Sequence, residues 1–399
     1  MSGMIKSLAD QDLYKFGMSQ IVLHQFPATE VEYEFRCRNK GIDFRSCVTQ
    51  IIDEIEKLKD LSFSAEELEF ISGLSWVKPD YIQFLKLLRL DPKMVDIDTD
   101  ESGGLQIKIK GPWLYTIWFE IPILAIVNQC YFEELEINKE NPDLVRANGK
   151  VRLHDKLDVL RLEAPEGFNY AEFGTRRRFS YEWQDTVLAR LIDTTHLIGT
   201  SNVRLAMKHG ITPIGTMAHE FFQAGQALGS QLVDSQRFML DAWVREYRGD
   251  LGIALTDTIG IDAFLMDFDL FFAKLYDGLR HDSGNAIDFG EKIIRHYNKL
   301  GIDPLTKTLI FSDGLNFDDA FKLHNHFAGR IKTSFGIGTW LTNDVGLKPL
   351  NIVLKMVTCN NKPVAKISDS PGKGMCNDEE FVTYLKKVFR ERLERKNRK

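Results

Sequence analysis

"TKTLIFSDGLNFDDAFKLHNHFAGRIKTSFGIGTWLTND", residues 306–344, decides the fold. A short apolar run closes on Ser312, Asp313 and Gly314. A segment with helical spacing of its apolar residues follows, and then a second apolar run that ends in Gly336, Gly338 and Thr339. Strand, helix, strand is the unit of a parallel sheet, because parallel neighbours need a crossover long enough to hold a helix.

The same alternation runs upstream to about residue 169, through "ITPIGTMAHEFFQAGQAL" (211–228), "WVREYRGDLGIALTDTIGIDAFLMDF" (243–268) and "FAKLYDGLRHDSGNAIDFGEKIIRHYNKLG" (272–301). No GxGxxG follows any of these strands, so a barrel fits better than a dinucleotide-binding sheet. The expected class is α/β. An irregular (β/α) barrel-like catalytic domain over 131–344 packs with a smaller α+β domain in 1–130, to which 345–399 can return. In that smaller region "DQDLYKFGMSQIVLHQF", "SCVTQIIDEIEKLKDL" and "PDYIQFLKLLRL" have helical spacing. "TEVEYEFRCR" and "GLQIKIKGPW" alternate with period two, the pattern of a half-exposed sheet.

Composition narrows the classes. The 399 residues are 44% hydrophobic, enough for a large core, and their formal net charge of −6 disfavours nucleic acid or an anionic membrane as partner. Five scattered cysteines without CxxC spacing argue against disulfides and zinc and suit a reducing, cytoplasmic setting. The most membrane-like stretch, Gly111–Phe132, carries Glu120 and Pro122 near its centre and reads as a buried helix after a turn. The basic C-terminal tail reads as a solvated, frayed end.

Chemistry-bearing residues gather at the predicted strand ends. Phe173 and Gly174 precede Arg176, Arg177 and Arg178, which is either a solvated basic turn or a clamp for phosphate or carboxylate. Thr200, Ser201 and Asn202 suit a helix cap, and a helix start there also offers N–H groups to an anion. Thr216 and His219 stand three apart at a strand-to-helix junction, where a lone histidine is usually structural. Arg280 and Asp282 fall on one face of a strand end, with a mutual salt bridge as the plain alternative. Ser312, Asp313 and Gly314 follow another strand. Gly336, Gly338 and Thr339 have the make-up of a phosphate cradle. Barrel strands open on one face, so these groups would converge.

Together with "DLYKFGMSQ" (12–20), the segments "FGTRRR", "GTSN", "GTMAHE", "RHDSG", "SDG" and "FGIGT" resemble the nicotinate phosphoribosyltransferases, which are type II phosphoribosyltransferases. The motifs stand in the family's order and cover most of the chain. The resemblance implies a homodimer that transfers phosphoribosyl from phosphoribosyl pyrophosphate to nicotinate, giving nicotinate mononucleotide and pyrophosphate for NAD salvage. It also implies ATP hydrolysis through a phosphohistidine at His219, with Mg²⁺ on the phosphates and its ligands left unassigned. Tyr14 would reach from the partner subunit to stack on the pyridine ring, opposite Phe173. Thr216 and Arg280 would hold the nicotinate carboxylate, with Arg176 also on the substrate. Asp282 and Asp313 would face the ribose and pyrophosphate, and Gly336, Gly338 and Thr339 would receive the 5′-phosphate. The nicotinamide enzyme is similar but places an aspartate where Ser201 stands, which favours nicotinate here. A non-catalytic nucleotide-binding relative is the other alternative.

Overall fold

The computed structural model describes residues 3–138, 141–370, 372 and 374–397. The last two residues of the basic tail, expected to fray, lie outside that range. In chain order the strands are β1 (Glu30–Cys37), β2 (Val95–Thr99), β3 (Leu105–Pro112), β4 (Tyr170–Glu172), β5 (Leu197–Thr200) and β6 (Arg248–Leu251). They continue with β7 (Ile253–Leu255), β8 (Gly278–His281), β9 (Thr308–Phe311), β10 (Lys332–Ile337), β11 (Ile352–Cys359) and β12 (Lys362–Pro363).

Two sheets result. The first is antiparallel, in the order β12-β11-β1-β3-β2. Its alternation is the one the sequence carries: Val31, Tyr33 and Phe35 of β1 and Leu105, Ile107 and Ile109 of β3 are buried, while Gln106, Lys108 and Lys110 face water. The second is parallel, in the order β5-β4-β10-β9-β8-β7. The mixed α/β class is as expected, but this sheet does not close into a ring among the described residues. A single bridge, Thr200 to Pro213, extends it beyond β5. There the chain turns into helix His219–Leu228 instead of continuing as a strand, and Arg280 of β8 donates to Thr216 just before that helix.

The crossover helices are amphipathic and locally capped. Asn285 accepts from the N–H groups of Ile287 and Asp288, and helix Ala286–Lys299 buries Phe289, Gly290, Ile293, Ile294 and Tyr297. Asn316 caps helix Phe317–Phe327, whose Phe327 ring lies where a side chain on Gly290 would have to go. The membrane-like stretch forms a turn at Trp113–Thr116 and then the buried helix Glu120–Asn138. Among the described residues no helix is long and apolar enough to cross a membrane.

Chain ends cross over between the two sheets. β11 pairs along the whole of β1, whereas the C-terminal helix Glu379–Asn397 packs on helix Ile261–Asp267, where Arg392 donates to Asp267 at 2.7 Å. The strongest tie near the N-terminus is buried. Arg178 donates twice to Asp10, at 2.7 and 2.8 Å, with both side chains out of water. Burial works against the Asp10 carboxylate, but Arg178 and Asn202 outweigh it and hold its pKa below the usual value. Asp10→Ala leaves a buried guanidinium unpaired, and urea unfolding at pH 7 is expected to show a loss of about 3–5 kcal/mol. Because the folded pKa is depressed, this contribution is present above the ordinary carboxylate pKa and fades as pH falls below it.

Candidate active site

Parallel strands deliver their carboxyl ends to one edge of the sheet, and the antiparallel sheet faces that edge. Between them lies a pocket of about 540 Å³. The loop after β4 brings Phe173, Gly174, Arg176 and Arg177; the loop after β5 brings Ser201. The ends of β8, β9 and β10 bring Arg280 and Asp282, Ser312 to Leu315, and Gly336 to Trp340. The opposite wall carries Arg38 after β1, Lys355 on β11 and Lys366 after β12.

Buried hydrogen bonds set the turns. Glu172, at the end of β4, accepts from the Gly174 N–H, from Thr200 Oγ1 at 2.6 Å and from Gln184 Nε2 at 3.1 Å. One carboxylate thereby fixes the start of both the arginine turn and the Ser201 loop. The three arginines then diverge. Arg178 turns inward to Asp10, whereas Arg176 and Arg177 reach the pocket. Arg176 lies 3.9 Å from Asp12 and 3.7 Å from Glu120.

The glycines of "FGIGT" have a steric cause visible at once. A Cβ on Gly336 would sit 2.3 Å from the Phe173 ring, and one on Gly338 would sit 2.7 Å from the Phe173 carbonyl oxygen. They let the aromatic ring and its backbone lie flat against β10, whatever else the turn holds.

His219 opens helix His219–Leu228, where free backbone N–H groups and the helix dipole are found. Its Nε2 is 2.8 Å from Asp257 Oδ1 and 3.5 Å from Asp282 Oδ2. Ser283 Oγ and Lys366 Nζ, the latter at 3.2 Å, occupy the other Asp257 oxygen. Burial, with Lys366 adding repulsion, lowers the His219 pKa to about 4. The Asp257 carboxyl is held well below its usual value: burial opposes its charge, but His219, Lys366 and Ser283 outweigh that. An ionised Asp257 can only accept, so Nε2 carries the hydrogen and the lone pair sits on Nδ1. His219, Asp257 and Asp282 could by distance hold a cation. Lys366 already places a positive charge against both carboxylates.

Of the residues expected in a site, Tyr14, Phe173, Arg176, Ser201, His219, Arg280, Asp282, Asp313, Gly336, Gly338 and Thr339 all line this pocket. Thr216 and Tyr14 meet the pocket in different ways. Thr216 is not on the wall; its hydroxyl lies behind Arg280 and accepts from Nη1 at 3.4 Å. Tyr14, expected to complete a partner's site, lies on the wall of its own chain's pocket. Helix Leu13–Gln25 is docked there by the Leu13 N–H on the Ser201 carbonyl. The expected alternative for Arg280, a salt bridge to Asp282, is also absent among the described residues. Its buried Nε and the Tyr14 hydroxyl have no hydrogen-bond partner there.

Sequence reading missed Asp12, Arg38, Asp257, Lys355 and Lys366. Lys355 and Lys366 each stand alone in an apolar run ("VLKMV", "VAKIS"), and that solitary charge was the available signal. Burial, with Arg176 and Lys366 nearby, lowers Lys355 to about 8 despite the opposing pull of Glu120.

The chain matches the model of the nicotinate phosphoribosyltransferase (NAPRTase) family over residues 168–393 and that of the NAPRTase N-terminal domain over residues 9–128. It is 54% identical to a nicotinate phosphoribosyltransferase of Chromobacterium violaceum, with 97% of each chain covered. With one of Xylella fastidiosa it shares 50% identity over 98% of each. The crystal structure of nicotinate phosphoribosyltransferase from Vibrio cholerae superposes with a TM-score of 0.91 at 40% identity, covering 99% of this chain and 97% of that one.

A histidine NMR titration should find His219 neutral down to about pH 5, with its midpoint near 4; a midpoint near 6.5 would contradict the buried arrangement. The linked stability is full above the ordinary histidine pKa and declines as pH falls towards 4, because there only the unfolded chain takes up the proton.

Proposed function

The chain belongs to the nicotinate phosphoribosyltransferase family, and from that premise we propose that it transfers phosphoribosyl from phosphoribosyl pyrophosphate to nicotinate, coupled to ATP hydrolysis. The observation that carries this reading is the convergence on one pocket of Tyr14 and Phe173, the Arg280 guanidinium, and a neutral His219 backed by Asp257.

The pyridine ring stacks between Tyr14 and Phe173. Arg280, held from behind by Thr216, takes the nicotinate carboxylate, and Arg176 adds positive charge on the same wall. Loss of pyrophosphate from the ribose C1 builds positive charge on the sugar, which the carboxylates of Asp282 and Asp313 stabilise. The phosphates meet Arg38, Arg177, Lys355 and Lys366, and the 5′-phosphate lies at the Gly338–Thr339 turn. Mg²⁺ fits the same place: Asp282 and Asp313 supply the carboxylate oxygens a hard cation prefers, and a bound ion would neutralise departing pyrophosphate.

For the ATP step, the Nδ1 lone pair of His219 attacks the γ-phosphorus. An N–P bond forms, the P–O bond to ADP breaks, and the helix N-terminus and Lys366 neutralise the added charge. Water later cleaves the N–P bond and releases phosphate. A homodimer in the cytoplasm completes the reading, with Tyr14 serving its own subunit.

One observation favours nicotinamide instead. Asp12 lies on the pocket wall, 2.6 Å from Ser201 Oγ, and a charged Asp12 would repel a carboxylate and accept from an amide. Burial, only partly offset by Arg176, raises the Asp12 pKa and so lessens that repulsion.

Purified protein supplied with phosphoribosyl pyrophosphate and either base should form nicotinate mononucleotide faster, with ATP accelerating it; faster turnover of nicotinamide overturns the choice of base. With γ-labelled ATP, acid-labile label should appear on the protein and be missing in His219→Ala. Arg280→Lys should lower kcat/KM for nicotinate on the order of ten- to a hundredfold, the worth of one or two charge-assisted hydrogen bonds that lysine cannot place.

A further inference from the structure

Lys15 has no contact with water, yet it carries a full charge between two carboxylates, Glu120 Oε2 at 2.7 Å and Glu220 Oε1 at 2.8 Å. Its position in the sequence gives this arrangement its meaning. Lys15 directly follows Tyr14, and Glu220 directly follows His219. The third member, Glu120, lies 3.7 Å from Arg176 on the pocket wall. One buried ammonium therefore joins three places: the Tyr14 platform through the backbone, Arg176 through Glu120, and the start of the His219 helix through Glu220.

The two backbones it ties are themselves close-packed. A Cβ on Gly215 would lie 2.9 Å from the Tyr14 backbone nitrogen, and one on Gly17 would lie 3.7 Å from the Thr216 carbonyl. Movement of the Tyr14 helix thus presses on the strand-to-helix junction that carries His219. A buried charge cluster is a poor device for stability, since apolar side chains of similar volume often do as well. What it does provide is directional geometry, because an ammonium shared by two carboxylates cannot shift towards one without loosening the other.

We propose that Lys15 is a positioning residue that couples occupancy of the base platform to the state of His219. The ion pairs to Glu120 and Glu220 transmit the displacement in both directions. The proposal rests on the phosphohistidine reading for its consequence in the reaction, although the linkage of the two positions stands on the geometry.

The test follows the imidazole ¹⁵N signals of the full chain as nicotinate is added, with the His219 resonance identified by its loss in His219→Gln. In the unmodified protein and in Lys15→Arg, nicotinate shifts that resonance. In Lys15→Met and Glu220→Gln, checked for folding by circular dichroism, the shift is lost. A parallel readout is the ratio of kcat/KM for nicotinate with ATP to that without. It stays high in the unmodified protein and Lys15→Arg and collapses towards unity in the other two. No shift in the unmodified protein, or a shift retained in a folded Lys15→Met, overturns the proposal. So does a common fall in rate that leaves the ratio unchanged. Should Lys15→Met fail to fold, Glu220→Gln, which keeps the volume and removes the charge, decides alone. An unmodified protein without ATP dependence refutes the phosphohistidine reading, and the ring-signal arm still decides the coupling.

Discussion

Parallel strands cannot spread their carboxyl ends; they present them along one edge, and everything else in this protein is arranged around that edge. Five of its strands, β4, β5, β8, β9 and β10, bring Phe173, three arginines, two serines, two aspartates and a glycine turn to it. Those ends would be an open groove if the chain did not fold back a second, antiparallel sheet over them. β11 closes on β1 in that sheet, so the wall facing the groove is assembled from both ends of the sequence. The site exists only once the most distant contacts in the chain have formed.

Charge organises what topology gathers. The pocket wall carries Arg38, Arg176, Arg177, Arg280, Lys355 and Lys366 against Asp12, Asp282 and Asp313. Such an excess of cations on one wall is self-repelling. Burial is the main cause that lowers Lys355 to about 8 and Arg177 to about 10, and the neighbouring Arg176 pushes both the same way. Phosphates and a carboxylate relieve the repulsion. Behind the wall the carboxylates of Glu120, Glu220 and Asp257 hold individual cations in place, so that positive charge is fixed in position before any ligand arrives.

Period-two and helical spacing made both sheets and the crossover helices legible, because burial on one face is a local property of the sequence. Convergence of the strand-end motifs was legible because parallel strands open on one edge. What periodicity does not encode is which surface covers a given face. Lys355 stands on the alternating strand β11, and only the packing of two sheets turns its face into a pocket wall. The resemblance implies a partner's site for Tyr14, and spacing alone gives a helix at the start of the chain no evident local reason to reach its own strand ends. The Leu13 to Ser201 hydrogen bond supplies one. The arginine triplet shows the limit most clearly: three identical neighbours take different fates, and the turn fixed by Glu172 decides which is buried. Thr216 was given to the substrate when its nearest duty is to hold Arg280.

A crystal structure of this protein soaked with nicotinate and phosphoribosyl pyrophosphate tests the account most directly. The account predicts the pyridine ring between Tyr14 and Phe173 of the same chain, its carboxylate on Arg280, and the 5′-phosphate at Gly338 and Thr339. A ring stacked on the tyrosine of another subunit, or bound away from Arg280, would contradict it.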